Sequence, residues 1–150
     1  MIVVPSVDYW TKKTISSLED RINMLKLYES DRIIIDTKNN TCEYTYLVLN
    51  NISKDYPNDE LYLIMGADNI IRFGQWKNFN DIIKHKIIVV GRNGIDIDSY
   101  VDKLGHQEQF IIIKNYPESN ASSTEIRNGV YTYLDDQVKE YITTHNLYQS

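Results

Sequence analysis

Five short apolar runs, rich in β-branched residues, constrain the fold of this chain more than any other feature. They lie at residues 2–4, 32–36, 61–65, 87–91 and 110–114. Each run is almost continuously apolar rather than alternating, which is typical of strands that are buried on both faces of a sheet. Segments with helical spacing separate the runs, and such alternation favours right-handed β-α-β units. The sequence therefore predicts an α/β fold with a parallel sheet.

The spacing of apolar residues also predicts the helices. Ser16 and Glu19 form a capping-box pattern at the start of the first helix. The second helix begins near Tyr44 and ends at the turn signal of residues 56–59. Further helices are predicted near residues 78–84 and 96–105, from Ser122 onward, and over residues 134–145.

Size and composition indicate one globular domain over residues 1–150, since no linker or repeat divides the chain. The longest apolar runs are far shorter than the roughly 20 residues of a membrane span. A net charge of −5 argues against general nucleic-acid binding. The single cysteine, Cys42, excludes a disulfide framework within the chain. No secretory signal is visible, and we expect a cytoplasmic protein without nucleic-acid or membrane partners.

The loop after the third apolar run is the first candidate site, because ligands collect at the carboxyl ends of parallel strands. Gly66, Ala67 and Asp68 occupy it, and a glycine there allows a ligand to approach the backbone. The alternative is a tight turn in which Asp68 caps a short helix. Trp76, eight residues beyond Asp68, is suited to stacking on a flat heteroaromatic ring, or else it is simply packed in the core.

The segment SSTEIR at residues 122–127 is the second candidate. Ser122 and Glu125 form a capping box, so free amides are expected close to the hydroxyls of Ser123 and Thr124 and the cation of Arg127. That combination is suited to a phosphate group. The alternative is an ordinary capped surface helix.

Three further segments carry charged or hydroxyl side chains next to predicted strands or helices. Lys12, with its neighbour Lys13, follows the first run and is either a polyphosphate contact or a solvated charge, and Arg92 has the same two interpretations. Tyr44 and Thr45 lie at a predicted helix start, where a hydroxyl can meet a ligand. The three histidines show neither metal-ligand spacing nor a nucleophilic partner.

Taken in order, these segments resemble the bacterial nicotinate-nucleotide adenylyltransferase family, and the resemblance covers nearly the whole chain. The matching elements are Pro5, RINML at 21–25, Tyr44-Thr45, GADN with the following Trp76, SSTEIR, and YITTHNLY at 141–148. The SSTEIR pattern is shared across related nucleotidylyltransferases, whereas GADN with the tryptophan favours the pyridine-nucleotide branch.

The resemblance implies a Rossmann-like nucleotidylyltransferase fold and the transfer of an adenylyl group from ATP to nicotinate mononucleotide, in NAD biosynthesis. It implies that Trp76 stacks on the pyridine ring and that the mononucleotide site is lined by Tyr44, Thr45, Gly66, Ala67 and Asp68. It also implies that the ATP phosphates are held by Ser123, Thr124, Arg127 and Lys12, although the family's Pro-His-Lys pattern around that lysine is absent. Mg²⁺ is expected as a cofactor bound through ATP.

One departure from the family is a missing motif. The family opens with a strand, a glycine-rich loop and an H-x-G-H motif, and the sequence contains no H-x-G-H. The resemblance therefore predicts an N-terminally shortened domain whose sheet lacks its first, central strand. Unpaired buried backbone groups cost about 1–3 kcal/mol each, so we expect a homo-oligomer or a complementing N-terminal segment to fill the gap. The alternatives are a catalytically impaired nucleotide-binding or regulatory relative, a subunit that needs a second chain, and another nucleotidylyltransferase.

Overall fold

The structure is a computed structural model that describes residues 1–6, 16–92, 94–117 and 119–149. The chain forms two compact units, and each is described by itself. Unit 1 comprises residues 1–42 and 119–150, and unit 2 comprises residues 43–118. The expectation of one domain over residues 1–150 stays a prediction.

All five predicted strands are present, with ends that differ from the prediction by one or two residues. The strands are β1 (Ile2–Val3), β2 (Ile34–Ile35), β3 (Tyr62–Gly66), β4 (Lys86–Val90) and β5 (Phe110–Ile113). The helices are α1 (Leu18–Lys26), α2 (Thr45–Asp55), α3 (Ala67–Ile70), α4 (Phe79–Ile82), α5 (Ile97–Leu104), α6 (Ser123–Arg127) and α7 (Asp136–Thr144). Every strand pairing in the described residues is parallel, which confirms the α/β prediction. None of the described helices is both long and apolar enough to cross a membrane.

Unit 2 is built on a three-stranded sheet in the order β3-β4-β5. Met65 of β3 pairs with Val89 of β4, and Val89 pairs with Ile112 of β5, so the carboxyl ends of the three strands lie at one edge. One face of the sheet carries the core. Its buried members include Met65, Phe73, Ile82, Ile87, Val89 and Val101. The opposite face exposes Tyr62, Ile64, Ile111 and Ile113.

Unit 1 pairs β1 with β2 and has its own smaller core. That core is formed by Met24 of α1, Val138 and Ile142 of α7, and Leu147. Among the described residues β1 pairs only with β2, and β3 pairs only with β4. The absence of a central strand, which the resemblance implies, stays a prediction.

The predicted start of α1 is wrong by one residue. The N-cap is Ser17, whose Oγ accepts a hydrogen bond from the amide of Asp20 at 3.0 Å. Ser16 is only 5% exposed, and its hydroxyl donates instead to the Tyr148 hydroxyl at 3.1 Å. Burial of Ser16 therefore moves the capping pair from Ser16 and Glu19 to Ser17 and Asp20.

Candidate functional site

The end of β3 leads directly into the short helix α3, and Gly66 lies at the junction. Gly66 has φ −77° and ψ 159°, an ordinary extended conformation that does not itself require glycine. A Cβ built on Gly66 would meet no atom within 4 Å, so open space lies over its backbone. Ala67 is fully buried, whereas Asp68 is exposed in the first turn of α3. The position therefore gives a ligand access to backbone, next to a free carboxylate.

The alternative interpretation of this loop is half correct. A short helix does follow β3, as that interpretation expected. Asp68 does not cap it, because Gly66 occupies the N-cap position and no side chain bonds there. The carboxylate of Asp68 is thus left without a structural role in the helix start.

Trp76 is anchored at one side and open at the other. Its ring meets the buried Phe73 ring edge-to-face, with 5.1 Å between ring centroids, and it packs against the core of unit 2 as a partly buried residue. Phe73 is itself 0% exposed and also packs edge-to-face against Phe79 and Phe110. The core therefore fixes the indole, while part of its surface stays accessible. Stacking of Trp76 on a ligand stays a prediction.

Tyr44 and the loop that carries Trp76 are brought together in unit 2. The ammonium of Lys77 lies 4.5 Å from the centroid of the Tyr44 ring, a cation–π contact. The Tyr44 ring is also stacked on Tyr46, with 6.2 Å between centroids. Tyr44 is the N-cap residue of α2, and no side chain caps that helix start, which Thr45 opens. No sequence pattern singles out Lys77, since only the fold places it over Tyr44.

A cleft of about 260 Å³ lies at the carboxyl ends of β4 and β5, and sequence reasoning did not identify it as a cavity. Arg92, Asp98, Lys114 and Tyr116 are among its lining residues. The Lys114 ammonium forms an ion pair with Asp98, and this hydrogen-bonded carboxylate raises the pKa of Lys114. Arg92 thus lines an open cleft next to an ion pair.

The helix α6 in unit 1 contains the SSTEIR residues. The Ser122 hydroxyl accepts a hydrogen bond from the Glu125 amide at 3.2 Å, so the predicted cap at Ser122 is confirmed. The Arg127 guanidinium donates to the Thr124 hydroxyl at 3.0 Å, one turn away. Ser123 and Thr124 are exposed, and Arg127 is half-buried. The capped-helix interpretation is therefore satisfied, and phosphate binding stays a prediction.

Two expectations find no test in the described residues: the ATP-phosphate contact of Lys12, and the Mg²⁺ that is expected with ATP. Lys12 lies outside them. In the part of the chain that the structure describes, no group of three or more His, Cys, Asp or Glu side chains is arranged to hold a metal ion.

The sequence is similar to known nucleotidylyltransferases over nearly its whole length. The profile of the cytidylyltransferase-like family matches residues 1–129. A probable nicotinate-nucleotide adenylyltransferase of Dehalococcoides mccartyi is 34% identical over 156 residues, which cover 93% of this chain and 76% of that protein. A protein of the same description from Acholeplasma laidlawii is 33% identical, covering 99% of this chain and 81% of that protein.

A solved structure shares the fold. The nicotinic acid mononucleotide adenylyltransferase of Plasmodium falciparum, complexed with NaAD, superposes with a TM-score of 0.76. The match covers 98% of this chain and 81% of the Plasmodium chain, with 21% sequence identity. The predicted Rossmann-like nucleotidylyltransferase fold is therefore confirmed.

Proposed function

The chain belongs to the nicotinate-nucleotide adenylyltransferase family, and from this premise we propose that it binds nicotinate mononucleotide and ATP and takes part in adenylyl transfer between them. The products would be nicotinate adenine dinucleotide and pyrophosphate, a step of NAD biosynthesis. A cytoplasmic location is part of this proposal. Family membership confirms the resemblance stated from the sequence. Another nucleotidylyltransferase specificity is disfavoured by the GADN segment and Trp76.

One observation carries the mononucleotide part of the proposal. In the core of unit 2 Trp76 packs edge-to-face with Phe73, and the same unit leaves open space over Gly66. A partly exposed indole fixed by the core, and accessible backbone at the end of β3 in the same unit, are suited to a pyridine ring and its ribose. We therefore assign the mononucleotide to Tyr44, Thr45, Gly66, Asp68 and Trp76, with Ala67 as a buried part of the same segment.

The residues assigned to ATP lie on α6 of unit 1. Ser123 and Thr124 are exposed at the first turn of α6, and Arg127 carries the cation that a phosphate requires. We assign the ATP phosphates to these three residues and to Lys12. Mg²⁺ would enter with ATP as part of that substrate, coordinated by phosphate oxygens.

The reaction is a nucleotidyl transfer. A phosphate oxygen of the mononucleotide attacks the α-phosphorus of ATP, a new P–O bond forms, and the bond to the pyrophosphate leaving group breaks. Catalysis of this kind needs positioning and charge neutralisation more than a covalent group on the protein. Arg127 would supply positive charge to the phosphates. Residues 1–150 contain no H-x-G-H motif. A preorganised hydrogen-bond donor at the reacting phosphates is typically worth about 10²–10³ in rate.

A second candidate is a nucleotide-binding or regulatory relative with little activity. The residues that match the family's binding motifs favour it, because binding by these residues does not itself require the H-x-G-H motif, which residues 1–150 do not contain. A related possibility is a subunit completed by a second copy or by a separate N-terminal segment. Mixing the chain with a peptide that carries the family's opening strand and H-x-G-H loop distinguishes the regulatory relative from the incomplete subunit. Only the incomplete subunit would gain activity.

The test of the proposed function combines turnover, binding and size. Pyrophosphate release and dinucleotide formation are measured with MgATP and nicotinate mononucleotide, next to a relative that contains H-x-G-H. We expect measurable binding of both substrates, slow turnover, and self-association in size-exclusion chromatography of the same preparation. Binding without any product would favour the second candidate. Failure to bind either substrate would refute both, and a monodisperse monomer with ordinary turnover would refute the expected role of the missing motif.

A further inference from the structure

The ammonium of Lys77 is held in one place while its charge stays available. It lies 4.5 Å from the centre of the Tyr44 ring, and Lys77 directly follows Trp76 in the chain. Within the described residues Lys77 forms no ion pair with a carboxylate. A cation over an aromatic face is oriented by the ring quadrupole but is not neutralised by it.

Three other lysines of unit 2 have partners that occupy their charge, whereas Lys103 lies over the Tyr100 ring at 5.3 Å, much as Lys77 lies over Tyr44. Lys84 pairs with Asp81 at 3.3 Å, and Lys114 pairs with Asp98. The Lys86 ammonium donates to the backbone carbonyl of Glu108 at 2.8 Å. Lys77 therefore differs from these three, because it offers a positioned and unpaired cation at the tryptophan loop.

The ring beneath Lys77 is itself fixed. Tyr44 stacks on Tyr46 with an interplanar angle of 22°, and the neighbouring Glu43 carboxylate raises the pKa of the Tyr44 hydroxyl. The contact favours positions of the cation close to Tyr44 over the rest of the reach of a free lysine. Less conformational entropy is lost when such a side chain meets an anion.

We propose that Lys77 determines the preference of this site for the acid form of the mononucleotide over the amide form, by pairing with the carboxylate on the pyridine ring. This inference rests on the proposed function, which places that ring on Trp76. The two substrates differ only in a negative carboxylate against a neutral carboxamide. A positioned ammonium distinguishes them by charge, whereas stacking on Trp76 treats both rings alike.

The test measures binding, so it does not depend on turnover. Trp76 fluorescence is titrated with nicotinate mononucleotide and, separately, with nicotinamide mononucleotide, in a Trp10→Phe background that leaves Trp76 as the sole tryptophan. We expect the parent to favour the acid form by roughly tenfold, the scale of one partly solvated charge-assisted contact. Lys77→Met should bring the ratio of the two dissociation constants close to one, mainly by weakening the acid form, and Lys77→Arg should keep it.

Two further variants separate positioning from charge. Tyr44→Leu should lower the ratio partially, because the cation is present but no longer held. Lys84→Met removes an exposed lysine of the same unit and should leave the ratio unchanged. An unaltered ratio in Lys77→Met, with both ligands still bound, would overturn the assignment of Lys77 alone. Absence of binding by the parent for both mononucleotides would overturn the proposed function, and the assignment with it.

Discussion

The two candidate binding regions differ in how the fold supports them. The Trp76 region, which comprises Tyr44, Thr45, residues 66–68 and Trp76, is built on a sheet edge and on a core that includes Phe73. The α6 region, residues 122–127, is a five-residue helix whose polar side chains bond within the helix itself. The sequence indicated both regions as candidate binding sites, but the core of the protein supports only the Trp76 region. Preorganisation is visible at the first, and only compatible geometry is visible at the second.

The largest expected effect concerns the support beneath Trp76. Phe73→Ala should lower the free energy of unfolding by about 3–5 kcal/mol, because it empties a 0% exposed position that meets three aromatic rings. Ile64→Ala is the matched control, since Ile64 is 53% exposed and should change stability far less. Urea unfolding measures both variants. Equal losses of unfolding free energy in the two variants would show that the core side of the sheet and its exposed face do not differ as described.

The next effect tests the α6 region. Arg127→Ala should weaken ATP binding by about 1.5–3 kcal/mol, the scale of a hydrogen bond to a charged group, and reduce the salt dependence of the residual affinity. Isothermal titration with MgATP at two salt concentrations measures this. Lys139→Ala removes an exposed cation from α7 in the same unit and serves as the control. Unchanged ATP affinity in Arg127→Ala would reduce α6 to a capped surface helix.

A somewhat smaller effect tests the Trp76 region itself. Trp76→Ala should weaken mononucleotide binding by roughly 1–3 kcal/mol, by analogy with base–aromatic stacking, and leave ATP binding nearly unchanged. Titrating the two ligands separately into the variant measures the difference. Equal losses for both ligands would mean that Trp76 serves packing rather than recognition.

The Gly66→Ala variant distinguishes the access of a ligand to the Gly66 backbone from the contribution of Gly66 to stability. A Cβ at Gly66 meets nothing within 4 Å, so the free energy of unfolding should change by less than about 1 kcal/mol, while mononucleotide affinity falls. Gly91→Ala is the contrasting variant, because its Cβ would lie 3.2 Å from the carbonyl oxygen of Ile113 and should disturb the fold. Thermal unfolding and ligand titration are compared for each. Undiminished affinity in Gly66→Ala would exclude backbone contact there.

The smallest effect lies in unit 1 and depends on pH. The Tyr28 hydroxyl donates to the Asp135 carboxylate, which raises the pKa of Tyr28 to about 12. The raised pKa means that this bond stabilises the fold fully below pH ~10, the pKa of an unfolded tyrosine, and that the contribution is lost as pH rises through 12. Tyr28 is 39% exposed, so Tyr28→Phe should cost at most about 1 kcal/mol at pH 8.

The measurement is urea unfolding of parent and Tyr28→Phe at pH 8 and at the highest pH where both remain folded. The stability difference between the two proteins should shrink as pH rises. A difference that stays constant across this range would contradict the role given to the Asp135 hydrogen bond.

Local patterns predicted most of the fold. The apolar runs located all five strands, and the Ser122–Glu125 spacing located the cap of α6, because strand burial and helix capping depend on neighbouring residues. The cap of α1 was misplaced because Ser16 is buried against Tyr148, a contact 132 residues away. Such a contact leaves no trace in the sequence around Ser16.

The candidate site was predictable only in part for the same reason. Gly66, Asp68 and Trp76 follow strand ends and could be selected from the sequence. Lys77 could not, since its relation to Tyr44 arises from packing between segments more than thirty residues apart. The cleft beside Arg92 likewise requires the ends of two strands to be placed together.

The most direct test of the central claim maps both ligands on the same protein. Amide chemical shifts of the isotopically labelled chain are recorded with nicotinate mononucleotide and, in a separate titration, with MgATP. We expect the mononucleotide to shift the amides of Tyr44, Thr45, Gly66, Trp76 and Lys77, and ATP to shift those of residues 122–127. Mononucleotide shifts that are confined to residues 122–127, with none around Trp76, would contradict the account.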